Sequence, residues 1–341
     1  MRRWRAVPAV VLALAAGTAA AQATLVPQDS GVNVRLRGIS AVDANVAWAS
    51  GREGTVLRTV DGGAHWQALR VPGAEELDFR DVEGFDANTA VVLSIGPGAS
   101  SRVYRTADGG ATWTLALRND DARAFFDCMA FDGDRGWLLG DPVDRHFQVY
   151  TSEDAGRTWH PAEPAPGRRA LPDEAAYAAS GTCIAVTPWG ERLVVTGGGA
   201  ARVLLGDSGG ELWFAYDAPM PARVPAAGIF SATPVGEDML LVGGDFEHEE
   251  TGSAALAQFV SGEGLSLSPL PDPNGYRSGA ACLDGRSPQC IAVGPNGVDL
   301  LRQGRWESLG TSGYDAVDLA GTVGWASGDQ GRIARIEFTA P

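Results

Sequence analysis

The chain contains no lysine, so all 27 of its basic side chains are arginines. They face 42 acidic residues, for a formal net charge of −15. Such a body lacks the basic footprint that nucleic acid requires. Charge alone would not hold it on an anionic lipid surface either. Cysteine is scarce, at four residues, and no CxxC occurs. That excludes a redox dithiol and a zinc knuckle. Of the four histidines, no pair has metal-ligand spacing, so neither a metal nor a cofactor is expected. No stretch beyond the first 23 residues keeps a helical period for three turns, and none is apolar for long enough to span a membrane.

What is present begins with an export signal. Met1 to Arg5 is basic, Ala6 to Ala20 is apolar, and Ala21-Gln22-Ala23 fits the small-x-small cleavage rule. Residues 1–23 therefore read as a signal peptide, and residues 24–341 as the mature chain, periplasmic or secreted. Its loss removes Arg2, Arg3 and Arg5 and takes the charge from −15 to −18. In an oxidising compartment Cys282 and Cys290, which flank a turn-rich segment, are expected to bridge neighbouring strands. Cys128 and Cys183 would then either pair or remain as buried thiols.

The strongest signal is a repeat. Thr59-Val60-Asp61-Gly62-Gly63-Ala64-His65-Trp66 returns as Thr106-Ala107-Asp108-Gly109-Gly110-Ala111-Thr112-Trp113 and as Ser152-Glu153-Asp154-Ala155-Gly156-Arg157-Thr158-Trp159. The tryptophans Trp66, Trp113 and Trp159 lie 47 and 46 residues apart. The chemistry is that of a turn. Asp61, Asp108 and Asp154 accept backbone N–H groups inside a tight hairpin, Gly63, Gly110 and Gly156 supply positive φ, and each tryptophan packs on the next sheet. A structural role for these aspartates outweighs a catalytic one.

Between the turns lie short apolar strands, which makes the fold all-β. A period near 45 residues assigns one four-stranded blade to each repeat. Repeats start near residues 36, 79, 125, 180, 229, 276 and 313, which predicts a seven-bladed β-propeller. The last repeat looks short of an outer strand, and residues near Leu25 to Asn33 are expected to supply it. Aligning the inner strands gives two columns. One reads Arg37, Arg80, Phe126, Gly181, Phe230, Arg277, Tyr314, and the other Gly38, Asp81, Asp127, Thr182, Ser231, Ser278, Asp315. Neighbours on a strand face opposite ways. The second column is nearly all polar, and between blades it would be buried without partners. It is therefore expected to line the channel.

The eight-residue turns resemble the Asp-box, or bacterial neuraminidase repeat. With Gly140-Asp141-Pro142-Val143-Asp144, Ala179-Ser180-Gly181-Thr182, Gly197 to Val203, Ala227 to Ser231, Gly243-Gly244-Asp245, Gly275 to Gly279 and Gly331 to Ala334, most of residues 30–338 resembles the photosystem II stability/assembly factor family. It also resembles bacterial relatives of unknown role, some of which carry the label "oxidoreductase". The resemblance implies a seven-bladed propeller, and for the photosynthetic members a role in assembling a membrane complex. Asp141, Asp144, Arg202 and Asp245 become candidates because they sit in these Gly-flanked segments.

Enzyme readings find less support. The Arg-Ile-Pro signature of sialidases is absent, although Arg37, Arg80 and Arg277 could form an arginine cluster and Asp81, Asp127 and Asp315 could supply two carboxylates. Gly206-Asp207-Ser208-Gly209-Gly210 matches a nucleophile elbow, but no helix follows and it falls where a fourth turn belongs. Gly197-Gly198-Gly199 lacks the strand, helix and later acid of a dinucleotide site. The acidic run Asp245 to Glu250 reads as an exposed loop.

The expected function is therefore a non-catalytic propeller that binds an envelope protein or complex through its channel mouth. The partner residues are Arg80, Asp81, Asp127, Asp141, Asp144, Arg202, Ser231, Asp245, Tyr276 and Arg277. The alternative is a carbohydrate-active propeller enzyme, with a glycan as partner.

Overall fold

A computed structural model describes residues 22–207, 212–283 and 289–339. The chain is a seven-bladed β-propeller of seven antiparallel sheets. The innermost strands are Leu36–Ala41, Asp78–Gly84, Phe126–Asp132, Ile184–Val186, Ala227–Val235, Gly279–Cys282 and Ala316–Ala320. Most of the expected signal peptide lies outside the described residues.

The ring is closed by a strand from the other end of the chain. Blade seven takes its outermost strand from Gln22–Gln28, which pairs antiparallel with Ile333–Thr339. This strand starts before Leu25, and Ala23 is already buried in the blade opposite Phe338. Closure gives blade seven its fourth strand and so joins the two ends of the chain in one sheet.

Each of the three repeated turns folds through its own side chains. Thr59 Oγ1 accepts the Gly63 amide at 2.8 Å and donates to Asp61 Oδ1, which accepts the His65 amide at 2.9 Å. Thr106, Asp108 and Thr112, and Ser152, Asp154 and Thr158, repeat the pattern. Gly62 and Gly63 have φ of 74° and 83°, which only glycine adopts freely. Trp113 packs at the seam between blades one and two, and Trp159 between blades two and three. The indoles thus cover the preceding blade rather than the next.

Two disulfides are present. Cys282 and Cys290 face each other on the first two strands of blade six. Cys128–Cys183 ties the inner strand of blade three to the entry of blade four. Between these last two cysteines the chain makes a detour. Residues 162–183 add no strand to blade three or four; they carry Glu174–Ala175, which pairs with Gly197–Gly198 and extends the sheet of blade five. The repeat starts already hinted at this, since 125 and 180 are 55 residues apart and 79 and 125 only 46.

Candidate functional site

The inner strands carry a device that the sequence did not disclose. In four blades the pairing skips one residue: Arg37, Arg80, Asp127 and Phe230 sit at bulges between Leu36/Gly38, Phe79/Asp81, Phe126/Cys128 and Ile229/Ser231. A bulge leaves one residue unpaired and re-aims its side chain. All four bulged residues line one cavity of about 460 Å³ at the channel mouth. The column alignment was therefore one residue out in blade three. Asp127, and not Phe126, matches Arg37, Arg80 and Phe230, while Phe126 is buried in the core.

The expected division of the two columns is corrected in the same way. Much of the Asp/Ser/Thr column is buried between blades, and it does find partners. Asp81 Oδ2 accepts the Met129 amide at 2.7 Å, Ser231 Oγ accepts the Ala280 amide at 3.1 Å, and Ser278 donates to the Asp315 carbonyl at 2.7 Å. These bonds cross from blade to blade. Asp81 and Thr182 also line the deeper channel, whereas Asp127 and Asp315 belong to the mouth.

One side of the mouth is cationic. Arg35 makes a bidentate pair with Asp315 at 2.6 and 2.9 Å, and that bond holds its guanidinium pKa above the ordinary value. Arg37 lies 3.5 Å from the same carboxylate and donates to the Ala179 carbonyl at 3.2 Å. Burial lowers its pKa to about 10 although Asp315 opposes the shift, and its Nε meets no acceptor. Arg80 pairs with Asp78 at 3.0 Å and donates to the Ala178 carbonyl at 2.7 Å. Two of the three arginines thus hold the 162–183 detour against the mouth.

The opposite side is aromatic and acidic. Tyr177 stacks on Phe230 with centroids 4.0 Å apart, Phe246 stands edge-on to both, and Tyr276 meets Phe230 edge-on at 4.7 Å. Asp141 accepts the Ala176 amide at 3.1 Å, and burial pushes its carboxyl up to about 6. Asp127 is pushed well above the usual carboxylate range, by burial first and by Asp141 second.

Of the residues expected from sequence, Arg80, Asp127, Asp141 and Tyr276 therefore meet in one cavity. Arg277 does not join them; it is buried in a 2.6 Å ion pair with Asp299. Arg202 forms a buried 2.6 Å pair with Glu174. Ser231 is fully buried between blades, Asp144 is exposed beside Arg123, and Asp245 caps its own loop by accepting the Glu247 and His248 amides. Sequence reasoning missed Arg35, Phe246, Tyr177 and the Ala178 and Ala179 carbonyls. The excess length of the third repeat was the available signal for Tyr177, Ala178 and Ala179.

At the other end of the channel Asp81, Glu83 and Asp318 approach one another. Burial raises all three carboxyls, Asp81 to about 7 and Asp318 to about 6. Among the described residues no group of three or more His, Cys, Asp or Glu side chains is arranged to hold a metal ion. No described helix is long and apolar enough to cross a membrane.

No family model matches the chain, and no curated protein matches it. Solved structures do resemble it in fold. YCF48 from Cyanidioschyzon merolae superposes with a TM-score of 0.64 at 17% identity, over 93% of this chain and 99% of that one. YCF48 bound to D1 peptide gives 0.60 at 15% identity, over 92% and 94%. Virginiamycin B lyase from Staphylococcus aureus, solved with quinupristin, gives 0.67 at 11% identity, over 93% and 100%. At these identities the likeness is one of fold.

Proposed function

We propose that the chain is an exported, non-catalytic propeller that acts as a protein-binding or complex-assembly and stability factor through its channel-mouth face. On this reading it is periplasmic or secreted, its repeated turns are Asp-box turns, and its partner is an envelope protein or complex. The observation that carries the reading is the convergence of four bulged side chains, Arg37, Arg80, Asp127 and Phe230, on one mouth cavity. Bulges at four separate blades aimed at one point serve recognition better than they serve sheet stability. The cavity offers guanidinium donors and a rigid aromatic wall, the groups enriched at protein interfaces, with carboxyls beside them. The propeller solved with a bound D1 peptide supports the same choice.

The test is cross-linking of the tagged protein in its native envelope, with mass spectrometry of what is captured. Reproducible capture of one or a few envelope proteins, lost in both Arg80→Ala and Phe246→Ala, is the expected result. Capture that neither substitution alters rules out the mouth as the binding face.

A carbohydrate-active enzyme is the second reading, favoured by the Asp127 and Asp141 carboxyls in one cavity. Turnover of a glycoside that Asp127→Asn abolishes would replace the binding reading with this one.

A further inference from the structure

The charges of the mouth do not balance locally. On the side of blades one, two and seven each guanidinium has a carboxylate: Arg35 and Arg37 share Asp315, and Arg80 has Asp78. On the blade-three side Asp127 and Asp141 form no ion pair among the described residues. Asp127 is only 2% exposed, and its Oδ2 meets no protein donor. A buried carboxylate oxygen without a donor is costly to keep. Arg80 is the cation that acts on Asp127 electrostatically, but its Nε and Nη1 are turned to Asp78 and Ala178. Facing this acidic corner is the wall of Tyr177, Phe230, Phe246 and Tyr276.

We propose that the Asp127–Asp141 corner is a subsite for an arginine side chain of the bound segment, with its guanidinium hydrogen-bonded to Asp127 Oδ2 and seated against the aromatic wall. The proposal rests on the reading of the mouth as a segment-binding face. A guanidinium suits the corner better than an ammonium, because it is planar, weakly hydrated and stacks on rings while donating in its own plane. Its donors would satisfy the orphaned oxygen, and its charge would reverse the upward shift that burial and Asp141 impose on Asp127. Arg80 keeps to Asp78, so the incoming guanidinium meets two carboxyls that form no ion pair among the described residues. Phe246 is 44% exposed and forms the rim through which the side chain enters.

The experiment is ligand-observed NMR titration of the purified protein with acetyl-arginine methylamide and with its neutral isostere, acetyl-citrulline methylamide. The arginine probe should bind about tenfold more tightly, the value of one charged hydrogen bond. That preference should vanish in Asp127→Asn and weaken in Asp141→Asn. Should Asp127→Asn fail to fold, the exposed Phe246→Ala serves instead, and it should weaken the arginine probe several-fold. Equal binding of the two probes, no binding of either, or a preference that survives Asp127→Asn overturns the subsite. If neither probe binds while envelope capture still depends on Arg80, the mouth reading stands and only the subsite falls. If the arginine preference is present but nothing is captured, the subsite stands and the partner reading falls.

Discussion

The side-chain carbonyl of Gln28 accepts the indole N–H of Trp325 at 3.1 Å, joining residues 297 positions apart in the chain. The same oxygen accepts the Trp66 indole at 3.1 Å, and Gln28 Nε2 donates to the Gly62 carbonyl at 2.9 Å. One side chain of the closing strand therefore joins blade seven to the first repeated turn of blade one.

Gln28→Leu should destabilise the fold by about 2–3 kcal/mol, because two indole donors lose their acceptor, and that of Trp325 is fully buried. Urea unfolding measures it. A change below about 0.5 kcal/mol would mean that the closure depends on the backbone ladder alone.

Replacing Cys128 and Cys183 by alanine removes a cross-link that spans 55 residues. The chain-entropy cost is about 3–4 kcal/mol. The effect should reach further than stability. The bridge anchors the detour whose carbonyls meet Arg37 and Arg80, so hydrogen exchange should speed up at Tyr177 to Ala179 before it does so in blade one. Uniform acceleration throughout the ring would contradict this.

Stability should fall as pH rises. Burial raises the folded-state carboxyls of Asp81 to about 7 and of Asp141 and Asp318 to about 6, and it raises Glu83 and Asp127 as well. A raised acid favours the protonated folded state. Its contribution is complete below the unfolded value near pH 4 and is lost as pH climbs through 6 to 7. Calorimetry should find Tm several degrees higher at pH 5 than at pH 8, corresponding to on the order of 2–4 kcal/mol. Asp81→Asn should flatten the slope. A Tm that rises toward pH 8 would refute this account.

Arg80 and Arg277 should part company under substitution. Arg277→Ala strands Asp299 in the core and should cost about 3–5 kcal/mol. Arg80→Ala removes a partly buried partner of Asp78, its side chain 18% exposed, and should cost about 1 kcal/mol or less. Thermal melting of the two variants decides it. Equal losses would mean that Arg80 has a structural role at least as great as its proposed binding role.

The sequence by itself determined the all-β class, the seven-fold repeat and the hydrogen-bonding chemistry of the three turns. These depend on local spacing, and a hydroxyl, an aspartate and a glycine at fixed offsets act within a single hairpin. The inner strands were legible in part: Leu36–Ala41, Asp78–Gly84 and Phe126–Asp132 begin within a residue of the expected starts, and the other four begin two to four residues away. Only the tertiary structure decided which side chains reach the mouth. Facing alternates residue by residue, so a one-residue bulge at Arg37, Arg80, Asp127 or Phe230 changes the face, and no local pattern marks it. Arg80 and Arg277 look alike in the chain. What separates them is Asp299, which lies 22 residues beyond Arg277 and buries it in an ion pair.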